Sequence, residues 1–144
     1  MRAVDRMRFD PEALAAMLFA SCPRVDFAFL HGSARDGLVR PGGDIDVAVH
    51  VRGRETLALH GAIGACVERA APGVPCDVSV INHANPVLQF EALKGRRLFV
   101  RDAATYAAFF SRACRAYERQ MVHYERQRRY RREALRRRKQ PTAD

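Results

Sequence analysis

Two short apolar segments that flank a glycine-rich loop limit the fold more than any other feature of this sequence. Residues 25–31 form an apolar run that is long enough for a buried strand and too short for a typical helix. Residues 44–51 alternate polar and apolar side chains, which is the period of a strand. Because the loop between them, residues 32–43, is rich in glycine, the sequence predicts two strands of a sheet joined by an irregular loop.

Helices and further strands alternate along the rest of the chain. Asp10 is suited to cap a first helix that begins at Pro11 and stops before Pro23. Similar signals predict helices at 10–22, 54–71, 85–95 and from Asp102 or Thr105 onward, and strands at 76–81 and 98–100. We therefore predict an α/β (α+β) fold, with a small mixed sheet of about four strands flanked by helices and a long C-terminal helix.

Length and composition disfavour several classes of protein. A chain of 144 residues with 48% apolar and 28% charged residues has the size and composition of one globular domain. Its longest uncharged apolar stretches fall far short of the ~18 residues that a membrane-spanning helix needs. The four cysteines include no C-x-x-C pair, so we expect reduced thiols in the cytoplasm. A membrane protein, a secreted disulfide scaffold and a zinc ribbon are all disfavoured.

The positive charge of the chain is concentrated at one end. Of the net charge of +9, residues 112–144 carry most, with 12 Lys or Arg against 4 Asp or Glu. We therefore divide the chain into a body, residues 1–124, and an Arg-rich C-terminal helical tail, residues 125–144. Two interpretations of the tail stay open: a solvated or frayed helix, or a cationic surface that attracts RNA or the acidic face of a partner.

An apolar stripe runs along the predicted last helix in steps of three or four residues. Its members are Tyr106, Phe110, Ala113, Tyr117, Met121 and Tyr124. We expect the first part of the stripe to pack against the sheet. The distal part, Tyr117, Met121 and Tyr124, extends past a body of this size, and we expect it to meet a partner or a second copy of the chain.

The residues best suited to chemistry lie where the two predicted strands meet the loop. Gly32-Ser33 follows the first strand and offers close backbone approach, N–H donors and a hydroxyl, which together can hold a phosphate. Asp44 and Asp46 lie two positions apart on the second strand, so both carboxylates project from one face. Mg²⁺ neutralises such a pair and typically binds one or two carboxylates plus substrate phosphates. The combination predicts metal-assisted phosphoryl or nucleotidyl transfer.

Four further residues are candidates for this site or lie beside it. Asp77, on the next predicted strand, is either a third carboxylate that helps bind metal and deprotonate the nucleophile, or a solvated charge on an edge strand. Arg35 and Arg40, in the loop, either bind nucleotide phosphates or stay solvated. His31 is expected to pack or hydrogen-bond near the strand end and not to act as a base. The other four histidines show no metal-ligand spacing and are assigned no role.

The string GSARDGLVRPGGDIDVAV resembles the GS-x10-DxD signature of the DNA polymerase β-like nucleotidyltransferase superfamily. Over roughly residues 25–124 the chain is similar to the smallest members of that superfamily, the MNT-domain (minimal nucleotidyltransferase) proteins. The resemblance implies a nucleotidyltransferase fold like the polymerase β palm. It also implies that Gly32 and Ser33 hold the nucleoside triphosphate, that Asp44 and Asp46 bind Mg²⁺, and that Asp77 is the third carboxylate.

The resemblance further implies a reaction and a partner. Many MNT proteins are antitoxins of the MntA type, which transfer AMP from ATP onto a tyrosine of a HEPN-family, RNA-cleaving toxin and so silence it. Because every acidic position of the motif is filled, the resemblance implies an active enzyme. One departure is Gly43, where the family often has a serine before DxD, and this departure puts a local hydrogen bond in doubt.

Two other functions stay open at this stage. In one, the acceptor is a small molecule, as in the similar aminoglycoside nucleotidyltransferases, or an RNA end; those relatives generally bring an additional substrate domain, whereas this chain has only a helical arm. In the other, the chain is a non-catalytic antitoxin that blocks its toxin sterically and keeps a vestigial site. Mass analysis of the toxin after incubation with ATP and Mg²⁺ separates these functions.

Overall fold

A computed structural model describes residues 6–140, which contain six strands, four α-helices and one 3-10 turn at Gly32–Ala34. The strands are β1 (Met7–Arg8), β2 (Val25–His31), β3 (Leu38–Val39), β4 (Ile45–Val51), β5 (Cys76–Val80) and β6 (Arg96–Val100). The helices are α1 (Pro11–Ser21), α2 (Leu57–Ala70), α3 (Pro86–Leu93) and α4 (Ala103–Lys139). The start of the predicted body, 1–5, and the end of the predicted tail, 141–144, lie outside the described residues.

Four of the strands form one mixed sheet in the order β5-β4-β2-β6. Strand β2 is antiparallel to both of its neighbours, β4 and β6, whereas β4 runs parallel to β5. A parallel pair needs a long crossover connection, and α2 supplies it between β4 and β5. The predicted small mixed sheet with flanking helices is confirmed.

The two central strands are buried on both faces. Because side chains alternate along a strand, Ala28 and Leu30 face one layer of helices while Phe27 and Phe29 face the other. The first layer consists of α1 and α2, which contribute Leu14, Leu18, Leu59, Ile63 and Val67 to the core. The second layer consists of α3 and α4, which contribute Ala92, Leu93, Phe109 and Ala113. This double burial fixes the register of the strands that carry the motif.

Helix starts follow the capping signals in the sequence. A side-chain oxygen of Asp10 accepts a hydrogen bond from the Glu12 N–H at 2.9 Å, directly before Pro11. Asp102 caps α4 in the same way, accepting from the Ala104 N–H at 3.0 Å. Of the two predicted starts of the last helix, Asp102 and Thr105, the first is confirmed, because Asp102 is the N-cap of α4.

Two short elements were not predicted. Met7–Arg8 and Leu38–Val39 pair as a separate two-stranded antiparallel sheet, so the predicted irregular loop contains a strand. Strands of two residues carry no periodicity, which is why the sequence pattern does not reveal them. Strand β6 also begins at Arg96, two residues before the predicted start at Leu98. Its first two positions are exposed arginines, so the apolar pattern does not reveal them.

Helix α4 leaves the body part-way along its length. Tyr117, which was expected to meet a partner, stacks on Phe90 of α3 with ring centroids 3.8 Å apart and so already packs within the chain. From Val122 to Gln140 every residue is exposed, yet the helix continues to Lys139. The Arg-rich tail is therefore an exposed helix as far as it is described, and both interpretations of its role stay open. Within residues 6–140, neither α4 nor a shorter helix is apolar enough over sufficient length to cross a membrane.

We predict opposite effects of alanine at two glycines. A Cβ at Gly95 would overlap the Leu30 carbonyl oxygen, so Gly95→Ala forces α3 and β6 away from β2 and lowers the free energy of unfolding by about 2–3 kcal/mol. Gly61→Ala, in α2, meets no atom within 4 Å and raises the free energy of unfolding by about 0.5–1 kcal/mol. Urea denaturation measures both, and equal effects would contradict the described packing of Gly95.

Candidate active site

The antiparallel pairing of β2 and β4 brings the two halves of the motif together. His31, the last residue of β2, lies opposite Asp46 near the start of β4. Gly32 follows with φ at +75°, a conformation that favours glycine. A Cβ at this position would overlap the Asp46 Oδ2, so only glycine lets the backbone turn this close to the carboxylate. The predicted proximity of Gly32-Ser33 and Asp44-Ile45-Asp46 is thereby seen in the structure.

A tight turn delivers the chain from the loop into β4. The Gly43 N–H donates to the Arg40 carbonyl oxygen at 2.8 Å across Pro41 and Gly42, and Gly42 has φ at +73°. A Cβ at Gly43 would lie 2.8 Å from that carbonyl oxygen, so a serine there would have to shift the backbone. Gly43, where the family often has a serine, is therefore required by this turn. The turn places Asp44 directly before β4.

The third predicted carboxylate lies beside the first two. In the parallel pairing of β4 and β5, Asp77 is the register partner of Asp46. Asp44 and Asp46 are half-buried, whereas Asp77 is exposed on β5, the outer strand. Asp77 therefore lies both on an edge strand and next to Asp46. Its carboxylate is solvent-accessible, whereas that of Asp46 is half-buried.

The electrostatics of the site reflect this crowding. Burial raises the pKa of Asp46, the negative charges of Asp44 and Asp77 raise it further, and the charge of His31 opposes the rise. Burial and the same three carboxylates raise the pKa of the Cys76 thiol to about 11. The three acids thus share one local field, in which Asp44 and Asp77 disfavour the ionised form of Asp46.

The donor set fits a divalent cation that arrives with a nucleotide. Between residues 6 and 140, no group of three His, Cys, Asp or Glu side chains is arranged to hold a metal ion by itself. Two crowded carboxylates, Asp44 and Asp46, nevertheless suit Mg²⁺, which usually completes its shell with substrate phosphates and water. The Gly32 backbone, which leaves no room for a side chain, lies against one of these carboxylates. Asp44 and Asp46 are therefore compatible with a bound Mg²⁺ ion.

Ser33, Arg35 and Arg40 lie in the segment that joins β2 to β4. Ser33 and Arg35 follow Gly32 in the 3-10 turn and its C-cap, and both side chains are exposed. Arg40 is also exposed, and its carbonyl group anchors the turn before Asp44. Contact of these side chains with a bound phosphate stays a prediction.

His50 has a partner that the sequence did not indicate, whereas His31 lies where it was expected. His50 Nδ1 pairs with the buried Asp26 Oδ2 at 3.0 Å and stacks on Phe27, at the end of β4 away from Asp46. His31 packs beside the site as expected, and its Nε2 is buried without a hydrogen-bond partner among the described residues. The histidine–carboxylate pair satisfies a buried charge and contributes nothing to the candidate site.

Comparison with known families decides the classification. A profile of the family described as "Polymerase beta, Nucleotidyltransferase" matches residues 14–104, which include both motif strands, the loop and β5. The chain belongs to the polymerase β nucleotidyltransferase family. The match spans more than half of the chain and places Gly32, Asp44, Asp46 and Asp77 within the nucleotidyltransferase domain. No curated protein matches this nucleotidyltransferase in sequence.

Several solved structures share the fold of this nucleotidyltransferase. A mutant MntA–HpeT toxin–antitoxin structure aligns at TM-score 0.65 and 18% identity, over 82% of this chain and 93% of that chain. A toxin–antitoxin structure with AMP-PNP aligns at 0.63 and 19% identity, over 82% and 93%. The tri-AMPylated Shewanella oneidensis HEPN toxin in complex with MNT antitoxin aligns at 0.58 and 19%, over 81% and 89%. At such identities the likeness establishes the fold.

We predict that removing the Asp46 charge stabilises the metal-free protein. A raised folded-state pKa means that Asp46 favours folding below its unfolded-state pKa, and that this contribution is lost as pH rises through the folded-state pKa. Asp46→Asn therefore has a higher Tm than the parent protein at pH 7 with EDTA, and the difference shrinks toward pH 4. Differential scanning calorimetry over this pH range tests it.

Asp102 provides the control of opposite sign. Hydrogen bonds from Thr105 and from the Ala104 N–H lower the pKa of this helix-capping carboxylate. Its contribution is present above the unfolded-state pKa and fades as pH falls, so Asp102→Ala lowers the Tm at pH 7. If both variants lowered the Tm at pH 7 without metal, the crowding of carboxylates around Asp46 would be refuted.

Proposed function

We propose that this protein is a Mg²⁺-dependent nucleotidyltransferase that moves AMP from ATP to a tyrosine of a HEPN-family toxin, and so acts as its antitoxin. The observation that carries the proposal is the packing of the Gly32 backbone against Asp46, with Asp44 and Asp77 alongside. This arrangement combines exposed backbone at Gly32 with carboxylates for a cation. Family membership supports the reaction class, and the solved structures of similar fold support the choice of acceptor.

Each residue of the site has a separate task in this proposal. The backbone at Gly32, the Ser33 hydroxyl and the Arg35 guanidinium hold the triphosphate. Asp44 and Asp46 would hold Mg²⁺, and Asp77 would complete its binding or act as base. When bound, the cation polarises the phosphate that is attacked and neutralises the charge of the leaving group. The ionised form of Asp46 is disfavoured without a cation, so a bound cation would relieve its repulsion by Asp44 and Asp77.

The transfer is a single displacement at the α-phosphorus of ATP. The tyrosine hydroxyl oxygen forms a bond to that phosphorus while the bond to the bridging α–β oxygen breaks, and pyrophosphate leaves with the electron pair. The phenolic proton passes to a carboxylate. Asp77 is suited to receive it because it is exposed to an incoming protein and lies next to Asp46 in the sheet.

A protein acceptor suits the open surroundings of the site. Asp77 and the turn at Ser33 and Arg35 are exposed, so the acceptor can reach them from outside. Every helix of the described chain either covers the sheet or extends away as α4, and none forms a lid over Asp77. A HEPN partner would supply the missing surface. A cytoplasmic location, where ATP is abundant and thiols stay reduced, belongs to the same proposal.

We predict that AMP transfer requires both aspartates of the motif. With a HEPN-family toxin as acceptor, ATP and Mg²⁺, the parent chain adds one or more AMP groups to the toxin. Asp44→Asn and Asp46→Asn abolish the addition because the cation is no longer held. Intact-protein mass spectrometry of the toxin measures the product.

A loop aspartate supplies the matched control for this experiment. Asp36 accepts a hydrogen bond from the Leu38 N–H at 3.1 Å, and an asparagine can keep that bond. Asp36→Asn should therefore retain full transfer. Transfer retained by Asp46→Asn would refute the proposed site, and an unmodified toxin in a tight complex with the parent chain would indicate steric blocking instead.

The role of Asp77 is tested by kinetics. If it accepts the proton, Asp77→Asn lowers kcat by about 10²–10⁴-fold and changes the KM for ATP little. A loss that high Mn²⁺ restores would assign Asp77 to metal binding. Unchanged kcat would show that it is only a solvated charge on an edge strand.

A further inference from the structure

We propose that the distal part of α4, residues 126–139, binds duplex DNA by lying in its major groove. We call this segment the arginine arm. The inference concerns a surface separate from the nucleotidyltransferase site and does not depend on the proposed AMP transfer. It rests on the number of cations, on their distribution around the helix and on their exposure.

The arginine arm has a high density of positive charge. Its 14 residues contain nine Lys or Arg and one acid, Glu133. At about 100° per residue, the nine cations are distributed over about three quarters of the helix circumference. The remaining strip carries Gln127, Tyr130 and Ala134. The arm is thus cationic on two opposite sides as well as on the face between them.

Nothing in the described structure neutralises these cations. Every residue of the arm is exposed, and none of its arginines forms an ion pair among residues 6–140. Arg128, Arg132 and Arg136 follow one another at spacings of four, where like charges on a helix repel each other. A polyanion removes this repulsion, so binding one would stabilise the helix.

The distribution of charge favours a groove over a flat surface. A helix with its side chains is about 10–12 Å across, and the major groove of B-DNA, about 12 Å wide, admits a helix between two rows of phosphates. Cations on both sides of the arm match those two rows. An acidic protein face would use only one side. An A-form RNA duplex has a major groove too narrow for a helix.

The apolar residues of the arm argue against a membrane. Tyr130 and Leu135 are 70% and 55% exposed, but at helical spacing they lie on different faces, about 140° apart. A helix that lies on a lipid surface instead gathers its apolar side chains on one face. The arm carries nine cations that can contact phosphates of any sequence, and a single side-chain amide, Gln127. We therefore expect affinity from phosphates and little sequence preference.

Fluorescence anisotropy with a labelled 20-base-pair DNA duplex tests the proposal on the full chain. The expected Kd is in the micromolar range at physiological salt. The triple variant Arg128→Gln/Arg131→Gln/Arg132→Gln should bind about a hundredfold more weakly at 0.1 M salt. It should also lower the slope of log K against log salt by about 2–3, since each lost phosphate contact changes that slope by about 0.9.

A second triple variant controls for net charge. Arg52→Gln/Arg54→Gln/Arg69→Gln removes three exposed arginines from the body and should leave affinity and slope nearly unchanged. An equal loss of DNA affinity in both triple variants would refute binding by the arginine arm in particular. Tighter binding to an RNA duplex of the same sequence, or to polyglutamate, would also overturn the proposal in favour of RNA or an acidic protein.

The two activities can be separated by variants of each site. Asp46→Asn should bind DNA like the parent chain even if it no longer transfers AMP. The arm variant should transfer AMP like the parent chain, whatever its DNA affinity. An arm variant that loses the HEPN partner while its DNA binding is unchanged would contradict the proposal and identify the arm as a protein-binding surface.

Discussion

The close approach of the Gly32 backbone to the Asp46 carboxylate is the contact on which the rest of the site depends. It exists because β2 and β4 pair in a register that sets His31 opposite Asp46, and because position 32 carries no side chain. The same contact sets exposed backbone N–H groups of the Gly32 turn beside the carboxylate. Glycine at position 32 therefore connects the register of β2 and β4 to the chemistry of the candidate site.

Apolar packing along the strands holds mutually repelling charges together at one end. Phe27, Phe29 and Ala48 pack on α3 and α4, while Leu30 and Val47 pack on the other helices. Burial of this core makes sliding of β2 against β4 costly, because a shift by one residue would exchange the two faces. The burial of Asp46 and the crowding of carboxylates around it, which together raise its pKa, are thus sustained by hydrophobic burial elsewhere in the same strands.

Much of the fold and the principal site followed from local signals in the sequence. The alternation at residues 44–51, the cap at Asp10 and the length of the apolar run at 25–31 each depend on near neighbours in the chain. Proximity of Gly32 to Asp46 also followed, because two strands joined by a loop tend to pair. The family resemblance then supplied the chemistry expected of the pair.

Other features required the three-dimensional arrangement. The pairing of His50 with Asp26 joins residues of two strands whose bulged register no pattern indicates. Arg101 likewise donates to the carbonyl groups of Phe19, Cys22 and Val25, far away in the sequence. The packing of Tyr117 on Phe90 depends on the crossing of α3 and α4. Such contacts are set by tertiary geometry, so periodicity and spacing cannot reveal them.

The central claim is that a nucleotide and a divalent cation meet at the junction of β2 and β4. A crystal structure grown with Mn²⁺ and a non-hydrolysable ATP analogue tests this claim most directly, because Mn²⁺ is located by its anomalous scattering. We expect the anomalous peak between the carboxylates of Asp44 and Asp46, with the phosphates against Gly32 and Ser33. A peak elsewhere, or phosphates bound away from this turn, would contradict the account.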